Sequence, residues 1–317
     1  MMAGVARLID WIAIQGATVR MPEADGRDPQ LDQAQRLIAS PEFIPQKVEA
    51  ANVQFGSENR LRFETPCPGP FAENNIVHGR FYRCAKSWQE HPTVFFLHGW
   101  NDVIDHYHSF PRAAGKFNRS GFNVVALEAP FHFQRRPRHL GAWSNFLSPD
   151  ILRTVEATRQ AIAETRAFAE WLRQQGCSAI GILGVSLGGW LAGLTISQDA
   201  SFSCAVLLVP AARMDRLLQE ADFCKSIRTA LKGQPINASG LILTQIRPAM
   251  AKERILLIEA LHDLFVPADT MEELWRAWEQ PEIWRMRYGH ISILAAPGLY
   301  PRIIRWMTPR LRAPVAK

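Results

Sequence analysis

The sequence predicts an α/β protein: a mostly parallel central sheet with helices on both faces and a small helical cap. Three observations predict it. Short, continuous apolar runs recur at 93–98, 123–128, 179–185, 204–210 and 254–261, as strands covered on both faces require. Helically patterned segments lie between them, the arrangement by which crossover helices join parallel strands. One long interruption, 211–252, has its own helical patterning around RMDRLLQEADFCKSI and reads as a cap between two strands.

Taken in order, residues 1–75 read as a partly helical N-terminal extension, rich in turn signals such as MPEADGRDP, SPEF and TPCPGP. Its opening stretch predicts an amphipathic helix, because Val5, Leu8, Ile9 and Ile12 fall at helical spacing. Asp10 interrupts the apolar run and the small-residue cleavage pattern is poor, which speaks against a signal peptide.

The main domain, 76–317, opens with IVHGRFYR as a strand and continues with TVFFLH (93–98) and, after a mixed segment, NVVALE (123–128). A long helix follows, with Ile151, Val155, Thr158, Ile162, Thr165, Ala169 and Leu172 on one face. Ser148 as N-cap, Pro149 in the first turn and Gly176 past the end mark its limits. AIGILGV, CAVLLVP, RILLIEAL and WRMRYG (284–289) complete the strands, and LYPRIIRWMTPRL reads as a terminal helix.

Composition narrows the function classes. The 317 residues are 47% hydrophobic and 21% charged, ordinary for a globular protein, with no repeat or low-complexity segment. Five scattered cysteines, without a C-x-x-C pair, argue against a disulfide framework or a zinc site and fit a reducing compartment. No apolar run reaches transmembrane length, so a cytoplasmic location is expected. The net charge is +6, and residues 283–317 hold seven Arg or Lys and no Asp or Glu. No nucleic-acid motif accompanies them, so a solvated surface is the expectation. Peripheral membrane contact through Val5–Ile14 and this basic segment is the alternative.

The chemistry centres on IGILGVSLGGWLAG (180–193), where an apolar strand runs directly into Gly184-x-Ser186-x-Gly188 and then into a helical segment. A serine on such a turn projects its hydroxyl above the sheet edge, and glycines are needed where side chains would collide with neighbouring backbone. Its hydroxyl is a poor nucleophile until a base accepts its proton, and the base in turn needs an orienting carboxylate. Both types of residue follow at strand ends. Asp263 lies just past 254–261 and His290 just past the last strand, 27 residues later. That interval has room for the helix 269–279 and one strand.

Together these residues resemble the α/β-hydrolase superfamily over about residues 76–308. The resemblance rests on Gly184-Val185-Ser186-Leu187-Gly188, His98-Gly99, His262-Asp263-Leu264-Phe265-Val266-Pro267 and Gly289-His290. It implies Ser186 as nucleophile, Asp263 as orienting acid and His290 as general base. It further implies an oxyanion hole from the backbone N–H groups of Trp100 and Leu187. The His98-Gly99-Trp100 turn departs from the glycine-rich HGGG form of some lipases and esterases.

Asp215, following the strand 204–210, is a second candidate for the acid, whereas Asp269 reads as a helix N-terminal residue and His262 as a neighbour of the site. His98, Gly99, His132 and Arg135 are candidates for lining the substrate pocket. In the loop 128–143, Arg135, Arg136, Arg138 and His139 read either as recognition of an anionic substrate group or as a solvated loop. His106, His108 and His132 lack a metal-ligand spacing, so neither metal nor cofactor is expected. The expected activity is cleavage of a small-molecule carboxylic ester through an acyl-enzyme. Acyl transfer or thioester cleavage on the same triad, and a non-catalytic binding module, are the alternatives. Substrate identity and oligomeric state stay open.

Overall fold

The computed structural model describes residues 2–24, 28–101, 109–141, 143–177, 179–267 and 269–312. The chain opens with helices α1 (Ala3–Arg20) and α2 (Leu31–Ala39) and strands β1 (Gln54–Phe55), β2 (Arg60–Glu64) and β3 (Ile76–Tyr82). Next come β4 (Thr93–Leu97), α3 (Phe110–Arg119), β5 (Asn123–Leu127), α4 (Ile151–Gln174), β6 (Ile180–Val185), α5 (Leu187–Gln198) and β7 (Cys204–Leu208). Helices α6 (Met214–Glu220) and α7 (Lys225–Leu231) precede β8 (Ile255–Ala260), α8 (Thr270–Ala277), β9 (Glu282–Met286) and α9 (Leu299–Arg312).

The strands form one nine-stranded sheet in the order β1-β2-β3-β5-β4-β6-β7-β8-β9. β1, β2 and β3 pair antiparallel, and β3 lies antiparallel to β5. From β5 to β9 every pairing is parallel, so the α/β class with a mostly parallel sheet holds. The sheet starts earlier than residue 76, because Arg60–Glu64 alternates exposed and buried side chains and pairs along β3.

Helices cover both faces. In β4, Phe95 and Leu97 point into one core with residues of α2, α4, α5 and α8, while Val94 and Phe96 point into the other with α3 and α9. This is the period-2 geometry of a strand buried on both sides. The segment between β7 and β8 carries α6 and α7, and an ion-pair cluster fastens α6 to the start of α8. Arg213 reaches Glu273 at 2.6 Å, and Arg216 reaches Asp269 at 2.8 Å.

Three local expectations change. Helix α4 is capped by Asp150, whose Oδ1 accepts from Arg153 N at 3.1 Å, while Ser148 Oγ accepts from Asp150 N at 3.2 Å. The helix therefore begins two residues later than Ser148 and Pro149 suggest. β9 ends at Met286, and residues beyond it leave the sheet, where Tyr288 O accepts from His262 N at 2.9 Å. Helix α1 forms, yet turns its other side inward. Ala6, Asp10, Ile14 and Ala17 are buried, whereas Val5, Leu8, Trp11 and Ile12 stay largely exposed, Ile12 at the edge of the cavity described below. Among the described residues no helix is long and apolar enough to cross a membrane.

Candidate active site

Ser186 sits between β6 and α5 with φ 55° and ψ −115°, a conformation that L-residues avoid unless their surroundings enforce it. Two glycines make room for it. A Cβ on Gly184 would lie 2.0 Å from Gly188 O, and one on Gly188 would lie 2.1 Å from Leu97 O. The first turn of α5 is therefore pressed against the end of β4. Leu187 occupies the first position of α5, where a backbone N–H has no intrahelical partner.

Asp263 lies in the turn after β8, where its Oδ1 accepts from Phe265 N at 2.7 Å and Val266 N at 3.0 Å. Its Oδ2 is 2.7 Å from His290 Nδ1, and His290 Nε2 is 2.9 Å from Ser186 Oγ. With Nδ1–H donating to the carboxylate, Nε2 is the ring acceptor left for the serine hydroxyl. The Phe265 ring stacks on His290, with centroids 4.8 Å apart. Burial alone would push the imidazole down. The Asp263 charge and hydrogen bond, helped by the Asp10 charge, outweigh that and hold His290 above its ordinary value.

Ser186 and His290 line a cavity of about 730 Å³ whose apolar wall includes Trp100, Leu147, Met214, Leu217, Phe223 and Phe265. Gly99, Trp100, Ser186 and Leu187 line the same cavity. Trp100 stacks on Phe223 of the cap at 6.0 Å. Helix α1 closes one side through Ile12, Ala13, Gly16, Ala17 and Arg20, and the Arg20 guanidinium lies 4.6 Å over the Trp143 ring.

The other candidates fall elsewhere. Asp215 is taken by Arg213, at 3.0 Å and 2.8 Å to the guanidinium, which leaves Asp263 as the carboxylate on His290. Asp269 immediately precedes α8 and pairs with Arg216. His98 and His132 do not line the 730 Å³ cavity. His98 Nε2 accepts from Ala129 N at 3.0 Å, with Nδ1 2.8 Å from Gly99 O. His132 Nε2 accepts from Asn101 N at 3.2 Å. Both imidazoles thus hold the 98–101 turn against the loop after β5.

Arg135 is no pocket residue either. It is fully buried (0% exposed), with a two-pronged contact to Glu164 at 2.6 and 2.7 Å. Further bonds run to Glu128 O at 2.7 Å and Asn74 O at 2.6 Å. Arg136, Arg138 and His139 are likewise absent from the cavity wall. His106 and His108 lie outside the described residues, among which no His, Cys, Asp or Glu group could hold a metal ion.

Sequence reasoning passed over two contributors. Arg20 carries no motif. Asp10 left one trace, a single acid in an apolar helical stretch, which reads as an interruption until its partners are seen. Its Oδ2 accepts from His290 N at 2.7 Å and Leu264 N at 3.1 Å, and its Oδ1 from Ile291 N at 3.0 Å.

Comparison with known proteins agrees with this architecture. The sequence is 33% identical over 179 residues to the uncharacterized protein Rv2627c of Mycobacterium tuberculosis, covering 54% of this chain and 42% of that protein. The chain thus spans less than half the length of the relative it matches. Among solved structures it is similar to an acetyl xylan esterase from Paenibacillus sp. R4, at 14% identity and a TM-score of 0.58, over 93% of this chain and 98% of that one. It is also similar to the Pyrococcus furiosus esterase Pf2001, at 17% identity and a TM-score of 0.54, over 84% and 98% of the two chains. At such identities the likeness is one of fold. The profile of the alpha/beta hydrolase family matches residues 94–313, more than half of the chain, and the protein belongs to that family.

Proposed function

We propose that the protein is a serine hydrolase that cleaves a carboxylic ester through an acyl-enzyme. The observation that carries this reading is the continuous contact from Asp263 through His290 to Ser186, opening into an apolar cavity. Ser186 Oγ attacks the ester carbonyl as His290 Nε2 takes its proton. His290 returns that proton to the leaving alcohol, then activates water to release the acid. Asp263 holds the imidazole in the required tautomer. The Leu187 and Trp100 N–H groups stabilise the oxyanion, a role supported by the close approach of α5 to the end of β4. The wall of Trp100, Leu147, Met214, Leu217 and Phe223 suits an apolar acyl or alkoxy group. The likeness to esterase structures agrees with an ester substrate.

A fluorophosphonate probe and a series of p-nitrophenyl esters of graded acyl length test this. The intact chain is expected to be labelled at Ser186 and to turn over these esters. Ser186→Ala is expected to lose labelling, with turnover falling by about 10⁶-fold. Unchanged labelling or turnover in Ser186→Ala would overturn the assignment.

A further inference from the structure

Helix α1 lies at the far end of the chain from the catalytic loops and contributes no member of the triad. It nevertheless buries a carboxylate between them. Asp10 is 0% exposed, and burying an ionised group is costly unless hydrogen bonds compensate it. The compensation comes from three backbone N–H groups on two loops. Leu264 directly follows Asp263 in the acid turn, while His290 and Ile291 belong to the loop after β9. A carboxylate that only accepts, from three donors, is bonded as its ionised form requires, although burial outweighs these bonds and holds the Asp10 carboxyl above its ordinary value.

The fit is close on the other side as well. A Cβ at Gly289 would lie 2.7 Å from Asp10 Oδ1 and 2.8 Å from Ala6 O, so the residue before His290 has no side chain where α1 docks. Helix α1 also packs against the 222–224 turn of the cap and the 292–295 turn, which fixes Asp10 to two further parts of the molecule.

We infer that Asp10 is a positioning residue of the active site, a clamp from the N-terminal helix that sets the spacing of the Asp263 and His290 loops. The inference rests on the serine-hydrolase reading. It also gives the helix an electrostatic part. The charged groups facing His290 are Asp263, from the turn after β8, and Asp10, from α1; those facing Asp10 are Asp263 and His290. Both carboxylates favour the imidazolium that forms when Ser186 gives up its proton. Removing the Asp10 charge therefore lowers the His290 pKa as well as loosening the loops.

The test compares the intact chain with Asp10→Asn, Asp10→Glu and Ile14→Ala, using steady-state kinetics on p-nitrophenyl acetate across pH and circular dichroism for folding. Asp10→Asn places an amide N–H against backbone donors, and kcat is expected to fall by about 10²-fold with KM little changed. The acid limb of its kcat/KM profile is expected to move to lower pH, and Asp10→Glu to recover part of the rate. Ile14→Ala, a buried position on the same face of α1, is expected to lower the melting temperature while leaving kcat and the acid limb in place. If Asp10→Asn does not fold, Asp10→Ser, a smaller acceptor, takes its place with the same expectations. A folded Asp10→Asn or Asp10→Ser variant with wild-type kcat and an unmoved acid limb would overturn the inference. Absence of probe labelling at Ser186 in the unsubstituted chain would instead strike the hydrolase reading, so the two failures are distinguishable.

Discussion

Glu164→Gln isolates what the buried ion pair contributes. Arg135 and Glu164 are 0% and 2% exposed, and the guanidinium makes two bonds to the carboxylate and one each to Glu128 O and Asn74 O. The substitution keeps side-chain size but removes the charge that neutralises Arg135, leaving an uncompensated cation between the loop after β5 and helix α4. Breaking a buried pair in this way costs about 3–5 kcal/mol, a large part of the roughly 5–15 kcal/mol by which domains are stable. Urea unfolding followed by far-UV circular dichroism reads the loss as a lower midpoint. KM for p-nitrophenyl esters is expected to stay within about twofold, because neither residue lines the 730 Å³ cavity. Replacing both partners, Arg135→Met with Glu164→Leu, is expected to restore most of the lost stability, since no charge is then left unpaired. A stability loss below about 1 kcal/mol would show that the buried-pair argument is wrong, and a rise in KM at unchanged stability would show that Arg135 serves substrate recognition instead.

Two further outcomes follow from the site. His290 is held above its ordinary value by Asp263, and a base works only when neutral. The acid limb of kcat/KM is therefore expected above about pH 6.5, and Asp263→Asn should move it down while cutting kcat by about 10⁴-fold; an acid limb that stays in place in that variant counts against the assignment. Gly188→Ala would put a methyl group 2.1 Å from Leu97 O, so the proposed turnover of p-nitrophenyl esters is expected to collapse as α5 is pushed off β4. Full activity with an unchanged melting temperature in this variant would contradict the packing described.

The parallel half of the sheet was readable because strands buried on both faces appear as unbroken apolar runs, and Thr93–Leu97, Asn123–Leu127 and Cys204–Leu208 are buried throughout. Ser186 follows directly on one such run and Asp263 lies three residues past another, whereas His290 comes after the half-exposed β9 and was legible chiefly through Gly289-His290. β1 and β2 were not, being short, half-exposed and joined by a tight turn. Periodicity groups Val5, Leu8 and Ile12 on one face of α1 but does not say which face is inside. Three backbone donors decide that by favouring Asp10, and they lie 254 to 281 residues away. Arg135 misled for the same reason. On a loop it resembles a ligand-binding residue, whereas its counter-charge sits 29 residues on and one of its carbonyl acceptors 61 residues back.

The 280-residue separation between Asp10 and His290 N has a consequence for synthesis. At about 5–20 residues per second, α1 leaves the ribosome on the order of 10–60 s before the loop it clamps exists. Through that interval a nascent chain can hold Ser186 on its turn, yet its imidazole has not been made and Asp10 has no donors. Such long-range pairing is also slow to close. On the function proposed above, competence at Ser186 therefore waits until β9 and the loop after it are laid down and the two distant parts of the chain meet.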